Sequence, residues 1–316
     1  MESCVIVLLL CRKKLVLLLS PAFFVDLSVG SVLALVMFGV GLSLTISDFM
    51  QVVRHPRAFF TALTVQMIAL PTIAFLITFF LPIPAEIKVG FIILAASPGG
   101  ATSGFLTYLW RGNVALSLSL TAVNSTLTLF SIPIVVNMGL RIFLGQSSDL
   151  HLPFWETMGH IFFITIIPAF FGLLLRKLRP VFAEQISKPA KYIMLGLLAI
   201  VFAVKLFGSK SVGGTGLNAQ DILLILPIGL MQNAACLLTG YFALRYMKMS
   251  HPSRLTAAME SGVQNTTLAF LIAGNMLGNA EMVKPALVYS MFSFWTACLF
   301  AWISNKLAGK DTSLRH

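Results

Sequence analysis

The chain has 316 residues, of which 58% are hydrophobic and only 10% are charged. An average soluble domain is about a quarter charged, so this composition excludes an ordinary water-soluble fold. The net charge of +11 does not indicate nucleic-acid binding, because the basic residues form no patch with interleaved aromatic residues. The four cysteines lack the spacing of a zinc site or of a disulfide framework, and we interpret them as packing residues.

Uncharged runs of about 20 residues, the length that crosses a hydrocarbon core, recur along the whole chain. Residues 1–20 form a doubtful first span, because three consecutive basic residues interrupt them. Spans 2 to 10 are the runs 27–47, 58–81, 89–110, 113–140, 157–175, 192–204, 222–244, 255–280 and 285–305. The sequence therefore predicts an all-α polytopic membrane protein, with nine to ten transmembrane helices in one membrane domain over residues 1–316.

Lysine and arginine are unevenly shared between alternate loops. Fourteen of them lie in the loops 48–57, 111–112, 176–191, 245–254 and 306–316, whereas the opposite loops hold only five. Because these residues are enriched in cytoplasmic loops, we expect the fourteen and the C-terminus to be cytoplasmic. We expect the protein to reside in a bacterial inner or plasma membrane.

Polar residues and helix breakers interrupt spans 4 and 5. Span 4 contains Ser97, Pro98, Gly99 and Gly100 near its centre, where proline removes a helical hydrogen bond and glycine lets the chain turn. Taken alone, this segment is better explained as an ordinary kink, and only its pairing with span 9 favours a functional break. In span 5, polar residues recur at spacings of three and four, so they share one helix face: Ser117, Thr121, Asn124 and Thr128. Individually, hydroxyl groups of this kind often bond only to their own helix.

Span 9 contains the only acidic residue that lies well inside a span, Glu260, followed closely by Gln264 and Asn265. A carboxylate there costs several kcal/mol unless it is paired or coordinated. Spans 4 and 9 are five apart and so run in opposite directions, which predicts inverted five-helix repeats over approximately 1–145 and 153–306, with broken helices crossing at the midplane. Oxygen ligands from such breaks suit a hard cation such as sodium.

These motifs resemble the bile acid:sodium symporter family in its prokaryotic branch. The similarity covers about residues 27 to 306, and its most specific parts are 37–42, 47–49, 98–100, 107–109, 111–117, Glu260, Gln264 and Asn265. The resemblance implies that a core of spans 3–5 and 8–10 moves against a panel of spans 1, 2, 6 and 7. It also implies two sodium ions where spans 4 and 9 cross.

The resemblance implies a role for particular residues. The first ion would be held by Ser103, Ser117, Thr121 and Glu260. This chain has Gly104 where the family has an asparagine ligand, so the first ion is either weakly bound, completed by water or Asn124, or absent. The second ion would be held by Glu260, Ser261, Val263, Gln264 and Gln66. The residues expected to bind substrate are Asn265, Pro98, Gly99 and Gly100.

The resulting interpretation is a secondary active transporter rather than an enzyme, in which sodium drives symport of an organic anion of the bile-acid or pantoate type into the cytoplasm. No cofactor is expected, because sodium acts as the coupling ion. Gly104 keeps open a proton-coupled or uncoupled carrier of the same fold. An intramembrane enzyme or an arsenite-type exporter is disfavoured, since the spans show neither a catalytic constellation nor a span-4 thiol. We interpret His160 and His251 as packing or surface residues.

Overall fold

The computed structural model describes residues 21–45, 56–145, 150–208 and 214–313. The doubtful first span and the 47–49 motif therefore lie outside the described residues. Within the described ranges the chain is all-helical and contains no strand. Its helices are α1 (Pro21–Ser43), α2 (Pro56–Phe80), α3 (Ala85–Ala95), α4 (Ala101–Leu109), α5 (Val114–Leu144), α6 (Phe154–Leu178), α7 (Pro180–Phe207), α8 (Ala219–Tyr246), α9 (His251–Gly262), α10 (Thr266–Phe270, continued as a π-helix over Leu271–Met276) and α11 (Ala280–Ser313).

Five of the described helices are long and apolar enough to cross a membrane, namely α2, α5, α6, α8 and most of α11. Large hydrophobic side chains such as Phe80, Phe163 and Trp295 are exposed on their outer faces. Exposed apolar surface on this scale is expected where a protein faces lipid. The chain is therefore a multi-pass membrane protein. The total of nine to ten spans stays a prediction, because it counts each interrupted pair of short helices as one span.

The chain between α6 and α7 differs from the prediction. The sequence predicts a loop over 176–191, but α6 continues to Leu178 and α7 begins at Pro180, so Arg179 alone turns the chain. Proline is well tolerated at the start of a helix, because the N–H that it lacks would have no helical partner there. Basic residues in the last turn of α6 also stabilise a helix C-terminus, so their presence does not require a loop.

The described helices pack in two groups. In one group α1 lies against α6 and α7, and glycines bring the backbones of α1 and α6 together. A Cβ atom on Gly41 would collide with the backbone carbonyl oxygen of Ala169, so no larger residue fits there. Close contact through small residues is a common way for membrane helices to associate. In the other group α8 packs against α9, α11 and α2, while α3 packs against α5 and α11.

Two interruptions bring short helices together inside the second group. The segment 96–100 separates α3 from α4, and the segment 263–265 separates α9 from α10. The two segments touch, since the backbone N–H of Asn265 donates a hydrogen bond of 2.9 Å to the carbonyl oxygen of Ser97. The C-terminal ends of α3 and α9 and the N-terminal ends of α4 and α10 therefore meet in one region of the fold. Broken helices in both predicted positions are confirmed.

Candidate functional site

Glu260 is the centre of the candidate site. It lies in the last turn of α9, and its side chain is fully buried. The Ser117 hydroxyl of α5 donates a hydrogen bond of 2.5 Å to one carboxylate oxygen, and the Thr121 hydroxyl lies 3.5 Å from the other. No lysine or arginine of the described chain forms an ion pair with Glu260. A buried carboxylate without a counter-charge is strongly unfavourable, so this site can accept a cation or a proton.

The segment between α3 and α4 closes over the carboxylate. A Cβ atom on Gly99 would lie 2.8 Å from the Ser103 hydroxyl oxygen and 2.9 Å from both the backbone carbonyl oxygen and a carboxylate oxygen of Glu260. Ser103 itself is buried and donates a hydrogen bond of 2.7 Å to the carbonyl oxygen of Gly100. The missing side chain at position 99 therefore lets a hydroxyl, a carbonyl and a carboxylate converge.

Gly104 lies on the same half-helix but in a more open position. A Cβ atom there would have one neighbour within 4 Å, the Ser117 hydroxyl oxygen at 3.5 Å. A side chain at position 104 would thus project towards the hydroxyl that binds Glu260. The edge of the site beside the Ser117 hydroxyl therefore has space at position 104 and no side chain to fill it.

A second group of oxygen atoms lies in and beside the interruption between α9 and α10. Ser261 and Gln264 are buried, and the Ser261 hydroxyl oxygen and the Gln264 amide oxygen have no hydrogen-bond partner among the described residues. The Gln264 amide nitrogen donates to the Ser261 carbonyl oxygen at 3.3 Å and lies 3.9 Å from the sulfur of Cys236. Val263 caps α9 with an extended backbone. Buried oxygen atoms without partners are rare in folded proteins and often mark a ligand position.

Gln66 is positioned by a short π-helical segment, Val65–Ala69, within α2. Its side chain is buried and contacts Asn124 of α5, whose amide nitrogen donates to the Gln66 amide oxygen. The other amide atoms, Nε2 of Gln66 and Oδ1 of Asn124, have no partner in the described part of the chain. The π-helical segment also packs against α9. Single-turn π-helices frequently occur at functional sites, and no sequence pattern indicates this one.

The residues predicted to bind substrate lie together at the touching interruptions. Pro98, Gly99 and Gly100 are buried, and the side-chain nitrogen of Asn265 would be 3.4 Å from a Cβ atom on Gly100. The Asn265 side-chain oxygen accepts a hydrogen bond of 3.1 Å from the Leu268 N–H and so caps α10. Both α4 and α10 begin here, and helix N-termini favour negative charge.

Two further polar residues near the site were missed by the sequence analysis. The Tyr289 hydroxyl donates a hydrogen bond of 2.6 Å to the carbonyl oxygen of Gly262, and the Asn233 amide nitrogen donates to the same oxygen at 2.8 Å. Both side chains are buried. They fix the last carbonyl of α9 next to the interruption. The only signal in the sequence is an amide pair, Gln232 and Asn233, in the middle of an apolar span.

The two histidines lie away from Glu260. His160 is exposed and lines a cavity of about 500 Å³ between α1, α6 and α10, together with Glu156. His251 begins α9, and its ring lies 2.8 Å from the Asn305 side-chain oxygen and 3.3 Å from the Tyr241 hydroxyl. Neither ring makes a hydrogen bond with the carboxylate in the described structure. Over residues 21–45, 56–145, 150–208 and 214–313, no three histidine, cysteine, aspartate or glutamate side chains are grouped so that they could hold a metal ion.

Comparison with known proteins gives consistent results. The model of the Sodium Bile acid symporter family matches residues 31–214. An uncharacterised sodium-dependent transporter of Bacillus subtilis (strain 168), YocS, is 29% identical over 292 residues, which cover 89% of this chain and 85% of that protein. A probable chloroplastic sodium/metabolite cotransporter of Oryza sativa subsp. japonica is 27% identical over 259 residues, or 81% of this chain and 58% of the rice protein. The P3 protein of Homo sapiens is 28% identical over 220 residues, or 68% of this chain and 44% of the human protein.

Proposed function

The chain belongs to the sodium bile acid symporter family, and we propose that it uses a sodium gradient to carry a small organic anion into the cytoplasm. Its relatives are named as a sodium-dependent transporter and as sodium/metabolite cotransporters, so sodium and a small organic substrate are the shared features. The anionic substrate, of the bile-acid or pantoate type, and the inward direction are our proposals. They rest on the site and on the loop charges.

The observation that carries the proposal is the buried Glu260 carboxylate surrounded by oxygen atoms. We assign a first sodium to the Glu260 carboxylate and to the hydroxyl groups of Ser103, Ser117 and Thr121, which face or approach it. Sodium is a hard cation, and hard cations prefer hydroxyl, carbonyl and carboxylate ligands. Binding would neutralise a charge that is otherwise isolated in a dry environment. This coupling between ion binding and burial explains why the carboxylate can be retained there.

A second sodium is assigned to Glu260, Ser261, Val263, Gln264 and Gln66. The partnerless oxygen atoms of Ser261 and Gln264 support this assignment, because a cation would satisfy both. Gln66 would have to exchange its contact with Asn124 for a contact with the ion. Ion binding would then order Gln264 and its neighbour Asn265. We propose that this ordering precedes anion binding.

The anion is assigned to Asn265, Pro98, Gly99 and Gly100, where the helices α4 and α10 begin. Their N-terminal dipoles favour negative charge, and interrupted helices commonly bind transported solutes in this manner. These residues are largely buried in the described conformation, so substrate access requires movement. We propose that the group formed by α1, α6 and α7 moves against the remaining helices. We also propose that the fold has nine to ten spans, arranged as inverted repeats over approximately 1–145 and 153–306. The C-terminus is proposed to be cytoplasmic, and the membrane to be bacterial.

A proton-coupled carrier of the same fold is the second candidate function. One observation favours it: Gly104 places no side-chain oxygen beside Ser117, so the first cation site has one ligand fewer than the family pattern implies. A proton on Glu260 would remove the buried charge without needing further ligands. The two candidates differ in the ion to which the folded protein responds.

The test measures the thermal stability of the purified protein while sodium replaces choline at constant ionic strength. Linkage stabilises the folded protein by about 2.7 kcal/mol when sodium is at about 100 times its dissociation constant. We expect a sodium-dependent rise in Tm in the natural protein and none in Glu260→Gln, which keeps the shape but loses the charge. Glu184→Gln, at an exposed position of α7, is the matched control and should keep the response. If uptake into proteoliposomes instead follows a pH gradient and ignores sodium, the proton-coupled carrier is correct.

A further inference from the structure

A separate cavity of about 540 Å³ lies where α8 ends and α9 begins. Its walls are the C-terminal part of α8, the first turn of α9 and the C-terminal half of α11. Arg254, in its wall, lies six residues before Glu260, which is roughly 9 Å along the axis of α9. The cavity is thus distinct from the candidate ion site but shares a helix with it.

The charge of this cavity is entirely positive. Arg245, Arg254 and His251 line it, and none of its lining residues is acidic. Neither arginine forms an ion pair with a carboxylate in the described part of the chain. The N-terminus of α9, which begins at His251, adds a partial positive charge from its backbone N–H groups. The Arg254 Nε donates a hydrogen bond of 2.6 Å to the Met249 carbonyl oxygen, and the Arg245 guanidinium lies 5.8 Å from the centre of the Phe242 ring. Two guanidinium groups without a carboxylate partner, beside a helix N-terminus, form a strong binding site for an anion such as a phosphate group.

The interior of the cavity also presents an unused polar group. Ser304 of α11 is 7% exposed, and its hydroxyl has no hydrogen-bond partner among the described residues. Next to it, the contacts of His251 with Tyr241 and Asn305 fix the imidazole orientation. A buried hydroxyl without a partner is uncommon in a folded protein, so a ligand oxygen is the expected partner.

The wall on the outer side is apolar. Leu238, Phe242, Ile303 and Leu307 line the cavity and are each exposed on the helix surface. In a multi-pass membrane protein, such a surface faces the acyl chains of the bilayer. The cavity therefore has one end suited to an anionic group and one side suited to hydrocarbon, which is the chemistry of an amphiphile.

We propose that this cavity binds an anionic glycerophospholipid, with its phosphate between Arg245 and Arg254 and an acyl chain along the apolar wall. A soluble anion would leave the apolar wall without a partner, whereas a zwitterionic lipid would bring a positive headgroup to a basic site. Basic pockets between membrane helices commonly bind anionic lipid headgroups. The cavity also lies beside the loops whose lysine and arginine content predicts the cytoplasmic side.

The proposal is tested on the whole 316-residue chain, stripped of lipid in detergent and supplemented with phosphatidylglycerol, phosphatidylcholine or glycerol phosphate at one constant sodium concentration. Bound lipid is counted by native mass spectrometry, and Tm is measured in parallel. We expect phosphatidylglycerol alone to bind and to raise Tm. Arg245→Gln should weaken this binding about tenfold, the effect of one lost charge-assisted contact. Arg176→Gln, in the last turn of α6 and away from the cavity, should bind like the natural protein.

Ser304→Ala provides a second variant, because it removes the partnerless hydroxyl with little change in volume. We expect it to weaken phosphatidylglycerol binding as well, by a smaller factor than Arg245→Gln. Equal binding of phosphatidylcholine, or unchanged phosphatidylglycerol binding in both variants, would overturn the proposal. Stabilisation by glycerol phosphate that matches stabilisation by phosphatidylglycerol would show a site for soluble anions instead. A sodium-dependent Tm rise is not needed for any of these outcomes, so the lipid site and the proposed transport function are tested separately.

Discussion

The interruption between α3 and α4 and the interruption between α9 and α10 touch, yet they differ in the residue types that form them. The first, over residues 96–100, contains Pro98, Gly99 and Gly100, and the hydroxyl of its one polar residue, Ser97, is bound to the Ile93 carbonyl oxygen of α3 at 2.8 Å. The second contains Gln264 and Asn265 and follows Glu260 by one turn. One segment therefore contributes backbone and space, and the other contributes charge and side-chain oxygen atoms.

This difference explains how a carboxylate can be enclosed so closely. Three oxygen atoms lie within 2.9 Å of the place where a Gly99 side chain would begin, so the first interruption accommodates the second only because it lacks a side chain there. A symmetric pair with polar side chains on both segments would collide at this point. The site thus depends on the two interruptions being unlike each other, even though each breaks a helix at the same region of the fold.

The largest effect on this arrangement is expected from Gly99→Ala. The new methyl group would lie within 3.0 Å of the Glu260 backbone carbonyl oxygen, which cannot move without shifting α9. Overpacking of this kind typically costs about 1–3 kcal/mol. We expect a lower Tm and loss of the sodium-dependent rise in Tm, measured in the same sodium and choline buffers.

Gly104→Ala is the matched control for this change. It makes the same substitution on the same half-helix, where the methyl group would meet only the Ser117 hydroxyl oxygen at 3.5 Å. We expect this variant to keep both its Tm and its sodium response. If Gly99→Ala retains the full sodium response, the close contact between the two interruptions is not required for ion binding.

The sequence predicted the polar parts of the site because polar residues stand out in apolar spans. Glu260 is visible for this reason, and the break at 98–100 is visible because proline and glycine disrupt helices. The spacing of Ser117 and Thr121 places both on the face that meets the carboxylate. Tyr289 was missed because its partner is a backbone carbonyl, which every residue has and no sequence pattern marks. The π-helical turn that orients Gln66 has no compositional signature either.

The fold, like the site, was predicted only in part from the sequence. Hydropathy indicates where helices lie, but it does not reveal a junction as short as the single residue between α6 and α7. The packing of α1 against α6 also depends on contacts between distant parts of the chain, such as Gly41 against Ala169. One sequence alone shows that these glycines exist and not which backbone each of them meets.

A smaller effect is expected from Asn265→Ala, which tests the side chains of the second interruption. The substitution removes the cap of α10, which typically costs about 1 kcal/mol, and it also removes the amide beside Gly100. We expect a modest fall in Tm and loss of any further stabilisation by added pantoate or taurocholate in sodium. The comparison variant is Asn279→Ala, whose side chain caps α11 through the N–H groups of Glu281 and Met282. It should lose a similar amount of stability but keep the stabilisation by the anion. If the anion stabilises Asn265→Ala as much as it stabilises Asn279→Ala, Asn265 does not belong to the substrate site.

The smallest effect, and the only gain, is expected from Gly104→Asn. This change gives the first turn of α4 an amide side chain, directed towards Ser117 in a position where a Cβ atom has room. One added ligand oxygen contributing about 1 kcal/mol would lower the sodium concentration at half-maximal stabilisation about fivefold. Gly104→Ala separates the effect of the amide from that of a larger side chain, because it should leave the midpoint unchanged. If the midpoint does not move in Gly104→Asn, the first ion is already fully coordinated. The backbone of the first interruption and the side chains around Glu260 would then be sufficient for sodium binding.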